Sequence, residues 1–106
     1  MSVTFYAENR RNSATSAWLR LPASLADYLL FALAYPLLGP GNVRELLPAD
    51  LLVRTESLRR QFALGRGREF TSTEVDETQL LSHLEELEKV AERARDGGTS
   101  VLLFDA

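Results

Sequence analysis

The sequence predicts an α+β fold: a two-layer α/β sandwich in which a mixed sheet of about four strands carries helices mainly on one face. Three observations predict it. Two N-terminal runs alternate apolar and polar residues with a period of two. Three later segments carry leucines at helical spacing, bounded by caps and turn residues. The closing run SVLLFD is apolar on both faces, as expected of a strand inside a sheet. The expected order is β-β-α-α-β-α-β, in one domain spanning 1–106.

Val3, Phe5 and Ala7 alternate with Thr4, Tyr6 and Glu8, and Ala17, Leu19 and Leu21 alternate with Trp18 and Arg20. The two runs form a hairpin over 2–21, joined by the polar stretch ENRRNSAT. An antiparallel register pairing Phe5 with Leu19 and Val3 with Leu21 sets Tyr6 beside Trp18 on the other face. Pro22 stops the second strand, and Ser24 is placed to cap a helix over about 24–35, with Asp27 near its positive end. That helix is apolar all round apart from Asp27, so it should be buried on several sides or sit in an oligomer contact. Pro36 and GPGN at 39–42 end it, and a short turn is expected over Asn42–Leu46.

Pro48 suits the first turn of a second helix, about 48–64, with Asp50 favouring its dipole. Leu47, Leu51, Leu58 and Phe62 are spaced for one face, and Gly65 and Gly67 end it. A weak strand is expected around Phe70, about 68–72. The third helix, about 76–96, has the clearest signature. Asp76 and Gln79 make a capping box, Val75 and Leu80 a hydrophobic staple. Leu80, Leu84, Leu87, Ala91 and Ala94 line one face, widened by Leu81 and Val90, and Glu85 pairs with Lys89. Gly97 and Gly98 stop it before the last strand, about 100–105. The last three elements suit a right-handed crossover between parallel strands.

Composition narrows the chemistry. There is no cysteine, which excludes disulfides, thiolate metal sites and a thiol nucleophile. The start MSVTFYAENRRN has no basic and apolar leader pattern, and the run Tyr28–Gly39 is too short to span a bilayer. A cytoplasmic location is therefore expected. Eleven of the 12 basic residues are Arg, Leu occurs 20 times and Ile never. This resembles codon bias in a GC-rich bacterial or phage genome, which makes each Arg less informative. The net charge of −3 divides unevenly: residues 1–68 carry +4 and residues 69–106 carry −7.

No enzymatic constellation emerges, and neither a metal nor a cofactor is expected. His83, the single histidine, flanks the apolar stripe of the third helix without a motif partner. GRGRE at 65–69 and GPGNVRE at 39–45 lack the further residues of nucleotide-binding loops. Glu85, Glu88 and Glu92 crowd the polar side of the third helix, a solvated face that also suits docking. Tyr6, Trp18 and Arg20 project from the side of the sheet opposite the helices if those cover one face, and Leu102 and Phe104 can join them. Loops, a homodimer seam or a protein-binding hot spot would each account for such a patch. Arg10, Arg11, Arg54, Arg59, Arg60, Arg66 and Arg68 form the alternative, a nucleic-acid surface, against an overall acidic balance. The expected role is a non-enzymatic protein–protein interaction module, such as a small regulator, immunity protein or inhibitor. Its partner is a protein of unknown identity, and self-association is expected.

The runs NSATSAWLRLP, LADYLL, LLPADLLVR, VDETQLLSHLEELEKVAERA and VLLF together resemble small bacterial proteins of unknown function. Those share a polar N-terminal strand, a Leu-rich helix, a helix opening on Leu-Pro-Ala-Asp-Leu-Leu and a long C-terminal helix before a final strand. The resemblance implies this layout and no activity.

Overall fold

A computed structural model describes residues 2–7, 17–36, 43–66 and 76–105. Four strands, β1 (Ser2–Ala7), β2 (Ala17–Pro22), β3 (Val43–Leu46) and β4 (Val101–Asp105), form one sheet in the order β2-β1-β4-β3. Three helices, α1 (Ala23–Ala32), α2 (Pro48–Ala63) and α3 (Glu77–Gly97), complete the α+β fold. α1 and α3 lie against the sheet, and α2 packs along α3.

The hairpin register is the one the alternation dictates: Val3 opposes Leu21, Phe5 opposes Leu19 and Tyr6 opposes Trp18. β4 is central, between β1 and β3, as its two apolar faces require. The sheet is antiparallel in all its described pairings, so no parallel crossover is found among the described residues. The reason is β3. The segment before Pro48, expected to turn, is extended and pairs with β4, Leu46 opposing Val101 and Val43 opposing Phe104. The strand expected over about 68–72 and the staple residue Val75 lie outside the described residues, as do Arg10, Arg11 and the rest of residues 8–16.

Alternation divides the sheet into two faces. Val3, Phe5, Ala7, Leu19, Leu21, Leu46, Val101 and Leu103 are buried on one. Against them lie Leu25, Ala26, Leu29 and Leu30 of α1 and the α3 stripe Leu80, Leu84, Leu87, Val90, Ala91 and Ala94, in one continuous core. Removing this apolar surface from water is the main term holding the layers together. α2 adds Leu51, Leu58 and Phe62, with Thr55 buried between them and its hydroxyl donating to the Leu52 carbonyl at 3.0 Å. Leu47 precedes α2 and is exposed, so it does not share that face.

Each helix terminus has a local cause. The Asp76 carboxylate accepts from the Gln79 amide at 2.7 Å, the expected N-cap of α3. α1 starts earlier than expected, at Ala23 after Pro22, with no side-chain cap; Ser24 lies inside its first turn. All three helices end in the same doubly bonded reversal. In α2 and α3 a glycine takes its left-handed position, Gly65 at φ 79° and Gly98 at φ 66°. In α1 the position falls to Ala34, at φ 61°, with the Tyr35 amide donating to Leu30 and the Ala34 amide to Phe31. The helix therefore stops short of the expected Tyr35. It is enclosed on most sides within the domain, though Phe31 is exposed.

Candidate functional site

No helix among the described residues lies on the second face of the sheet. Pairing lays its residues out in two rows across the strands. Trp18, Tyr6, Leu102 and Glu45 form one; Arg20, Thr4, Phe104 and Val43 form the other. The centre is apolar and aromatic, with Tyr6, Leu102 and Phe104 half-buried and Thr4 buried. The two edges are exposed. Trp18, on β2, leaves 66% of its surface to solvent, and Val43, on β3, leaves 69%. Arg20 leans toward the start of β1, its Nε–H donating to the Ser2 hydroxyl at 2.9 Å. Tyr6, Trp18 and Arg20 thus stand together as expected, joined by Leu102 and Phe104. Val43 and Glu45 complete the patch and were missed, because their segment reads as a turn.

The acidic residues belong elsewhere. α3 packs on the covered face of the sheet, so Glu85, Glu88 and Glu92 lie on the opposite side of the molecule from Trp18. Glu85 and Glu92 are exposed, and Glu85 lies 4.0 Å from Lys89. Glu88 is half-buried and is engaged internally: Arg59 of α2 donates to it from Nη2 at 2.8 Å and from Nε at 3.2 Å. The pair joins α2 to α3 across a groove of about 390 Å³ lined also by Leu52, Thr55, Glu56 and Arg95.

Of the arginines of the alternative surface, Arg54, Arg59 and Arg60 pair within the fold. Arg60 pairs with Glu56 one turn away, at 2.9 Å. Arg54 closes the end of α1, donating from Nη1 to the Leu33 carbonyl at 3.1 Å and the Ala34 carbonyl at 2.9 Å. Its Nε donates to Asp50 at 3.0 Å, and its guanidinium stacks 4.1 Å from the centre of the Tyr35 ring. The Tyr35 hydroxyl completes the cluster by donating to the same Asp50 oxygen at 2.6 Å. Burial, then the Asp50 carboxylate, pushes the Tyr35 hydroxyl well above its ordinary pKa. The Tyr35 hydrogen bond, foremost, holds the Asp50 carboxyl below its ordinary value, against a smaller opposing effect of desolvation and with help from Arg54. Arg66 is exposed beyond the end of α2, and Arg68 lies outside the described residues.

His83 sits half-buried on α3 with its Nδ1 buried and without a hydrogen-bond partner, 4.0 Å from Glu86. No group of three or more potential metal ligands occurs among the described residues. No helix among them is long and apolar enough to cross a membrane. Comparison with protein-family models, with curated proteins and with solved structures finds no match for this chain.

Proposed function

We propose that this chain is a non-enzymatic protein–protein interaction module that docks its partner on the uncovered face of the sheet. One observation carries the reading. A tryptophan two-thirds exposed stands on a flat face with a tyrosine, a phenylalanine and an arginine around it. Trp, Tyr and Arg dominate the energetics of protein interfaces, because each removes a large area from water and keeps a polar or charged group for pairing. A hydrogen-bonded sheet fixes their backbone beforehand, so binding has only side chains to order. A role as a small regulator, immunity protein or inhibitor in the cytoplasm accords with this reading.

The test is affinity capture from the source organism with the wild-type chain and with Trp18→Ala, followed by titration of the purified captured protein against both. Loss of about 2 kcal/mol of binding or more on truncation is expected of an aromatic anchor. Equal binding by both chains overturns the reading. Glu85→Arg, on the far side of the molecule, should leave binding unchanged; loss there and not at Trp18 would move the docking surface to α3.

A further inference from the structure

We infer that the uncovered sheet face docks a second copy of this chain, in a two-fold, sheet-on-sheet dimer that pairs Arg20 of each copy with Glu45 of the other. This rests on the reading of that face as a docking surface and names its occupant. The argument starts from the distribution of charge. Arg20 stands on one edge strand, β2, and Glu45 on the opposite edge strand, β3, and both point to the same face. Between them the two central strands present Tyr6, Thr4, Leu102 and Phe104. The face is therefore basic at one side, acidic at the other and apolar in the middle.

Such a surface is complementary to itself. A two-fold axis parallel to the strands, running between β1 and β4, lays β2 of one copy over β3 of the other and β1 over β4. The rows stay in step, so Tyr6 meets the second copy's Leu102 and Thr4 meets its Phe104. Arg20 then lies one two-residue step, about 7 Å, along the strand from the second copy's Glu45, a span its long side chain covers across sheets about 10 Å apart once it turns from Ser2 toward the Trp18 row. Symmetry makes the pair twice. Strands of six, six, five and four residues, at about 4.8 Å spacing and about 3.3 Å per residue, give a footprint of roughly 330 Å² per copy. That is less than half of what each side contributes to a standard stable interface, the size class of weak, transient contacts.

Sedimentation velocity across a concentration series tests this, with Arg20→Glu, Glu45→Arg and their equimolar mixture. Both substitutions are at exposed positions, and circular dichroism checks that each variant is folded. The wild type should pass from monomer to dimer with rising concentration. Each single variant places like charges at both rims and should associate about tenfold more weakly or worse. The mixture restores opposite charges at both rims, so the two variants should associate with each other as the wild type does with itself. A wild type that is monomeric at about 1 mM, single variants that dimerise unimpaired, or a mixture no better than its components each overturns the dimer. A monomeric wild type whose heterologous partner is still lost on Trp18→Ala overturns only the second copy as occupant. A dimer that forms as expected, beside captured proteins indifferent to Trp18, removes the heterologous partner and keeps the face as a self-association surface.

Discussion

Phe5 and Tyr6 are neighbours in β1, and they live under different constraints. Phe5 is wholly buried between Leu19 and Leu103 in the strands on either side, with the helical layer above it. Tyr6 points the other way, between Trp18 and Leu102, on the face that no described helix covers. The same alternation supplies both, so one strand sends its odd residues into the core and its even ones to the other face. What separates the two faces is coverage. The helical layer turns one apolar surface into a core and leaves the other as a surface.

The sharpest way to break this comparison is to truncate both faces and measure urea unfolding. Phe5→Ala should cost about 3–5 kcal/mol, enough to consume much of the stability of a domain this size. The covering layer should be weakened less by removing a cap. Asp76→Ala, at the start of α3, should cost about 1 kcal/mol in the same experiment. The end of α1 gives an effect of opposite sign. Glycine accepts the left-handed backbone of Ala34 without the steric penalty of a β-carbon, so Ala34→Gly should gain up to about 1 kcal/mol after the entropy lost from the unfolded chain. On the open face, Trp18→Ala should change monomer stability by no more than about 0.5 kcal/mol. A loss of several kcal/mol there would mean that this face is a second core.

The smallest effect concerns acid. Asp50 has a lower pKa in the folded chain than its ordinary 3.8, so its cluster stabilises the fold above that value. The contribution is lost as pH falls through 3.8 toward the lowered folded value. Asp50→Asn should accordingly be less stable than wild type at neutral pH, with the gap narrowing below about pH 4 in acid unfolding. The carboxylate is largely exposed, so the gap should be small.

The sheet and helices were legible in the sequence where a pattern is local. Period-two alternation fixes the β1–β2 register, and Asp76 with Gln79 fixes the start of α3. What escaped was made by partners far along the chain. VREL is a strand because β4 lies beside it; two of its four residues face each way and a single one, Leu46, is buried. Asp50 reads as a helix-dipole residue and Arg54 as a free cation until Tyr35, 15 and 19 residues earlier, is brought against both. The open face follows the same division. Tyr6, Trp18 and Arg20 share a hairpin and were visible together, whereas Glu45 joins them only through sheet order.

The chain has one tryptophan, and it stands on the open face. Its indole is already bathed in water in the folded monomer, so its emission should hardly redden when the domain unfolds. A thermal melt followed by that fluorescence would be nearly silent while far-ultraviolet dichroism records the loss of the helices. A blue shift in the folded protein, by contrast, would come from something settling on that face, which makes the molecule its own optical reporter of occupancy.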